Sequence, residues 1–282
     1  MTHTAVEPEA LRRLAVEAAR LGARIARDAF GRPRSVSLKT DRSEVTEVDL
    51  DAQRQIERLL RARRPRDAIL GEETSGGPIS AADPDAVWWL IDPIDGTRNF
   101  VRGIPIFACS VAAMQRGRVL AGAVCDAMLD MTYSAACRGP IFSNDRPVAS
   151  TQPVTDHLPP TRRLLVAVPS LRRERTRRLV QLVMEKHLLR NSGSTALHLA
   201  WVALGRLDAA VSGNSRLWDI AAGAALLEAA GCKLTDPEGG EVFPLDPAGY
   251  DGSEIATLAG RPEAHARLRA ELAGPANEAT GR

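Results

Sequence analysis

Asp92 and Asp95 stand three residues apart, with Pro93 stiffening the backbone between them and Gly96-Thr97 directly after. An apolar, strand-like run from Ala86 to Ile91 leads into them. Two carboxylates at the end of a strand can hold hard cations through oxygen. Gly96 lets the backbone come close to an anion, and N–H groups opening a turn or helix can receive phosphate oxygens. Asp-Pro and Asp-Gly are also common turn pairs, so a polar turn after a strand would account for this segment alone. It would not account for matching acids elsewhere. Asp49, Glu72 and Asp219 also fall at the ends of expected strands or in the first turns of expected helices. The helix dipole favours an acid in a first turn, which by itself explains Asp49 and Asp219. Five clustered carboxylates, however, need cations to neutralise them. Oxygen donors without histidine point to magnesium.

The remaining composition narrows the chemistry. A chain of 282 residues suffices for one large domain or two lobes sharing a core. Its net charge of +2 argues against nucleic-acid binding as the main task. The arginine runs Arg61 to Arg66 and Arg172 to Arg178 lack interleaved aromatics and read as solvated faces. No apolar run approaches the roughly 20 residues of a membrane span. Met1 to Glu9 has acids and no apolar signal core, so a cytoplasmic protein is expected. Cys109, Cys125, Cys137 and Cys232 form no CxxC and are expected as free thiols. The histidines show no metal-ligand spacing, and His198 reads as a core residue of an apolar helix. Nucleophile-elbow, Walker A and dinucleotide-binding patterns are absent.

Periodicity supplies the elements that must position the acids. Helices are expected over Pro8 to Phe30 and from Thr46-Glu47-Val48-Asp49, a capping box, to about Ala62. Ser35 to Leu38 reads as a short strand, Lys39 to Glu44 as a polar loop, and Ala68 to Leu70 as a buried strand ending at Gly71-Glu72-Glu73. Thr74 to Ala82 reads as a mobile loop. Ile104 to Met114, Val119 to Asp126 and Met131 to Ala135 alternate like antiparallel strands. The proline-containing stretch Ser150 to Pro160 marks a boundary between residues 1–150, carrying most of the acids, and residues 151–282, carrying Asp219. In the second half, strands at Leu164 to Val168, Leu207 to Val211, Cys232 to Thr235 and Ile255 to Leu258 alternate with helices. The helices are expected over Leu171 to His187, Ser194 to Leu204, Trp218 to Ala230 and Pro262 to Leu272. This alternation suggests layered α/β structure.

Three separated motifs resemble the inositol monophosphatase family, part of a larger group of magnesium-dependent, lithium-sensitive phosphatases. They are Gly71-Glu72-Glu73, Trp89 to Phe100, and Trp218-Asp219-Ile220-Ala221-Ala222-Gly223. Val45-Thr46-x-x-Asp49 and Gly193-Ser194-Thr195-Ala196-Leu197 add to the match. The resemblance implies a five-layer α-β-α-β-α sandwich of the inositol monophosphatase/fructose-1,6-bisphosphatase type and a homodimer. It also implies two or three magnesium ions per site. Glu72, Asp92 and the Ile94 carbonyl would hold a first ion; Asp92, Asp95 and Asp219 would hold a second. Asp49 and Thr97 would orient and activate the attacking water, with Glu72 nearby, and the Gly96 and Thr97 amides would take the phosphate. Thr195 would line the alcohol side.

The expected reaction is hydrolysis of a small phosphate monoester, myo-inositol monophosphate before histidinol phosphate, fructose 1,6-bisphosphate or 3′-phosphoadenosine 5′-phosphate. A non-catalytic regulatory partner in a transcription complex is the reading from another class, against which the intact acid set argues. The family's inositol-specific members carry a glutamate where this chain has Ser212, beside Arg216. That departure leaves the alcohol open, and Arg216 could favour a more anionic one.

Overall fold

The computed structural model describes residues 7–32, 36–38, 44–73, 85–148, 163–168 and 174–273. The expected mobile loop Thr74 to Ala82 and the boundary Ser150 to Pro160 lie outside the described residues, as does most of the expected loop Lys39 to Glu44. Glu44 itself opens a strand.

Helix α1 (Pro8–Ala29) starts with proline, whose missing N–H would have no helical partner there, and buries a stripe that includes Leu11, Ala15, Ala19, Ala23 and Ala26. Strands β1 (Val36–Leu38) and β2 (Glu44–Thr46) pair antiparallel. Thr46 then caps α2 (Glu47–Arg63), its hydroxyl accepting from the Val48 and Asp49 N–H groups while the Asp49 carboxylate accepts from the Thr46 N–H. This is the capping box expected from the sequence.

Strands β3 (Ala68–Gly71) and β4 (Trp88–Asp95) are followed by a short helix, α3 (Thr97–Val101). Then come β5 (Ala108–Gln115), β6 (Arg118–Asp126), β7 (Met131–Ala136), β8 (Ile141–Ser143) and β9 (Arg146–Pro147). These strands make a seven-stranded sheet in chain order. Only β3 and β4 run parallel, so Gly71 and Ile91 lie side by side and the acids that follow them emerge at the same end. The second half forms β10 (Leu165–Ala167), α4 (Glu174–Lys186), β11 (Leu188–Arg190), α5 (Thr195–Ala203) and β12 (Ala209–Ser215). It ends with α6 (Leu217–Ala229), β13 (Lys233–Thr235), β14 (Ile255–Gly260) and α7 (Pro262–Ala273). Its five-stranded sheet has the order β11-β10-β12-β14-β13.

Side-chain alternation sorts these elements into five layers. Trp89 and Ile91 of β4 face α1 and α2, while Trp88 and Leu90 face a second core with α5 and α6. Burial on both faces explains why β4 is a continuous apolar run. The α5–α6 layer is apolar nearly all round because it lies between the two sheets. A third core packs α4 and α7 against the outer face of the second sheet through Val166, Val183, Val211, Leu258 and Leu268. The expected α-β-α-β-α arrangement is therefore observed. At one contact, Gly122 of β6 touches the α6 backbone: an added Cβ would lie 2.6 Å from Ala222 Cα.

Two local expectations needed correction. The strand expected from Ile104 begins only at Ala108. Gly103 takes a positive φ of 70°, and the Ile104 N–H turns back to the Asn99 carbonyl. Pro105 has no N–H to give a sheet. The edge strand β11 and the helix α3 were not expected, since three and five residues are too short to show a period.

Candidate active site

Four elements bring the acids to one place. Glu72 directly follows β3, its N–H bonded to the Ile91 carbonyl at 3.0 Å, which ties it to the neighbouring strand. Asp92 lies within β4, buried to 2% exposure, and its carboxylate accepts the Ile94 N–H at 3.0 Å. Asp219 sits in the first turn of α6, where it accepts the Arg216 N–H at 2.7 Å. Glu72, Asp92 and Asp219 each offer a carboxylate oxygen within 4.8 Å of the others. These residues are 147 positions apart in the chain, from Glu72 to Asp219.

Asp95 stands beside this group and also holds the start of α5. One oxygen accepts from Ser194 Oγ at 2.5 Å and the Ala196 N–H at 2.6 Å, and the other from the Thr195 N–H at 3.2 Å. It thus closes the N-terminus of α5 from a distant strand. Burial, opposed by these hydrogen bonds and reinforced by the Glu72 charge, pushes its carboxyl up to about 6. Burial, followed by the charges of Asp95 and Glu72, raises Asp219 well above the usual carboxylate range. Both shifts are led by burial, with the charge of neighbouring carboxylates adding to it.

The hydroxyl arm is also formed. Thr97 Oγ1 lies 3.0 Å from the Ile94 carbonyl and 3.3 Å from Asp49 Oδ1, acceptors brought together from α2 and β4. Asp49 therefore caps α2 and reaches the site with the same carboxylate. Gly96 makes the turn at φ 104°, where an added Cβ would lie 3.1 Å from the Ile106 carbonyl oxygen and 3.3 Å from that of Gly193. The following Thr97 opens α3, whose first N–H groups have no intrahelical acceptor. Asn99, absent from the expected site, donates to both the Ile106 and Ser192 carbonyls at 2.7 Å. It fastens the Gly96 turn to the Gly193 turn. Sequence periodicity could not reveal it inside so short a helix.

A pocket of about 150 Å³ adjoins these turns, lined by Arg98, Thr195, His198, Ser212, Asn214 and Thr257 among others. Thr195 and Ser212, both expected near the substrate, are among its lining residues. The Ser212 hydroxyl accepts from Ser215 Oγ at 2.7 Å across an irregularity in β12. Arg216 does not line the pocket. Its guanidinium donates to the Gly252 carbonyl instead. His198 is buried in α5 as expected of a core residue, yet it also belongs to the pocket lining.

Solved structures share this architecture. The extragenic suppressor protein suhB from Bartonella henselae superposes with a TM-score of 0.83 at 28% identity, over 95% of this chain and all of that one. An IMPase from Thermotoga maritima gives 0.78 at 28% identity, over 92% of this chain and 95% of that one. Fold, site and relatives together define a phosphoric monoester hydrolase. The pattern of the inositol monophosphatase family matches residues 7–274. The inositol-1-monophosphatase of Rhizobium meliloti (strain 1021) is 39% identical over 227 residues, 78% of this chain and 82% of that protein. The chain belongs to the inositol monophosphatase family.

Proposed function

We propose that the chain uses magnesium to hydrolyse a small phosphorylated alcohol, with myo-inositol monophosphate as its first substrate. The carrying observation is the convergence of Glu72, Asp92 and Asp219. Their donor chemistry fits a small hard cation: carboxylate oxygens only, in a site where burial and then the charges of Asp95 and Glu72 raise Asp219. Glu72, Asp92 and the Ile94 carbonyl would hold one ion, and Asp92, Asp95 and Asp219 a second. When bound, the ions offset negative charge on the phosphoryl group and make a water easier to deprotonate.

The chain's own groups position the reaction. The Gly96 and Thr97 amides receive phosphate oxygens, since this left-handed turn brings backbone N–H groups to the end of β4. The Thr97 hydroxyl holds the attacking water in line, and Asp49 orients that hydroxyl and accepts a proton through it. Thr195 and Ser212 border the alcohol. The name of the Rhizobium relative supports inositol phosphate as the first choice.

Phosphate release from myo-inositol 1-phosphate should require added magnesium, stop in EDTA and be inhibited by lithium. Turnover that persists in EDTA overturns the metal assignment. A second reading is a regulatory partner in a transcription complex; the Bartonella relative's name, extragenic suppressor protein, supports a role beyond hydrolysis. Asp92→Asn separates the two, because a purely regulatory role survives the loss of turnover.

A further inference from the structure

His198 is a lining residue of the pocket beside the carboxylates. Its Nε2 lies 3.2 Å from the Ser192 N–H and 2.6 Å from Ser192 Oγ. A backbone N–H can only donate, so Nε2 is the accepting nitrogen and carries no proton. The proton of the neutral ring is then on Nδ1. Among the described residues, no hydrogen bond holds Nδ1, and His198 belongs to the pocket lining. Burial pushes the ring's pKa down to about 4, so it stays neutral, with one donor and one acceptor, throughout the neutral range.

The rest of the lining has the same character. Arg98 is donor-only, while Thr195, Ser212, Asn214 and Thr257 offer hydroxyl or amide groups. No Asp or Glu is among the described residues of the lining. An ammonium-bearing alcohol would find no carboxylate partner there, whereas an oxygen-rich one would find donors.

We propose that His198 is a specificity residue whose Nδ1–H donates to an acceptor oxygen on the alcohol portion of the substrate, selecting a polyhydroxylated alcohol over an amino alcohol. This rests on the phosphomonoesterase reading above and deepens it. His198 does not touch the reacting phosphorus in this assignment; it recognises the leaving group.

Two substitutions divide the ring's functions. His198→Asn places an amide near the Nδ1 position, whereas His198→Gln places one near Nε2. Full-length protein with magnesium is assayed on myo-inositol 1-phosphate, on histidinol phosphate, and on p-nitrophenyl phosphate, which has no hydroxyl on its leaving group. The wild type should prefer the inositol ester to histidinol phosphate in kcat/KM. His198→Gln should raise KM for the inositol ester by about 5- to 150-fold, the usual range for a lost partner. His198→Asn should stay near wild type, and p-nitrophenyl phosphate turnover should change in neither variant. If Gln behaves as wild type, or if all three substrates decline in parallel, His198 only anchors Ser192 and the proposal fails. A preference for histidinol phosphate also overturns it. In each case an active wild type leaves the phosphomonoesterase reading standing. A wild type inactive on all three esters overturns both readings.

Discussion

Asp92 already satisfies a local bond through the oxygen that accepts the Ile94 N–H, so amide replacement can remove its charge while retaining that acceptor. Asp92→Asn should therefore fold normally yet lose about a hundredfold or more in kcat, measured by phosphate release with saturating magnesium. Thr97→Ser keeps the hydroxyl between Asp49 and the Ile94 carbonyl, whereas Thr97→Val removes it. The serine variant should stay within about tenfold of wild type, and the valine variant should fall by about a hundredfold or more. Equal losses would locate the role of Thr97 in packing rather than in the hydroxyl. Asp95 gives a pH prediction. Its folded value is about 6 against an ordinary 3.8, so the folded chain binds more protons than the unfolded chain between those values. This group's contribution to metal-free stability therefore declines as pH rises through that window, and Asp219 shifts in the same direction. Magnesium bound at these acids would take the place of those protons. It should raise Tm more at about pH 7.5 than at about pH 5, as read by thermal melts with magnesium and with EDTA.

At the scale of elements, the position of Asp219 depends on how closely α6 rests on the first sheet. Gly122 permits that contact, since an added Cβ would meet Ala222 Cα at 2.6 Å and the Ala222 oxygen at 2.8 Å. Gly122→Ala should cost about 1–3 kcal/mol by overpacking and also weaken magnesium binding as α6 is displaced. Denaturant unfolding and a magnesium titration would check the two effects; an unchanged midpoint would show that the helix gives way freely. Much of this frame was legible in the sequence. The α2 capping box, the continuous apolar run of β4 and the apolar helices of the second half are strong local signals. The convergence of Asp49, Glu72, Asp92 and Asp219 was reachable only through family resemblance, because no periodicity says which strand ends meet. His198 was legible as buried but not as a pocket residue, since its partner Ser192 lies outside the helix that carries it. The short α3 and β11 were hidden because tertiary contacts, rather than a local pattern, hold segments of that length.

Across the whole molecule, the carboxylate cluster joins parts built far apart in sequence: β3 and β4 from the first sheet and α6 from the middle layer. A cation at Glu72, Asp92 and Asp219 would therefore act as a tertiary clamp. At a free concentration of 100 times Kd it should add about 2.7 kcal/mol to stability. Calorimetry should show one transition moving to higher temperature; a split transition would mean that the ion stabilises only one sheet. None of the described helices is long and apolar enough to cross a membrane. The apolar α5 and α6 are buried in the core and depend on the surrounding protein for cover. That dependence shapes how the chain is born. The first sheet is synthesised before the helices that cover its inner face, and those helices remain sticky on their far side until the second sheet has formed. The last acid, Asp219, leaves the ribosome with that late layer. Chains cut short of α6 should thus lack Asp219 and tend to aggregate, and the segment a chaperone would most need to shield is the α5–α6 pair.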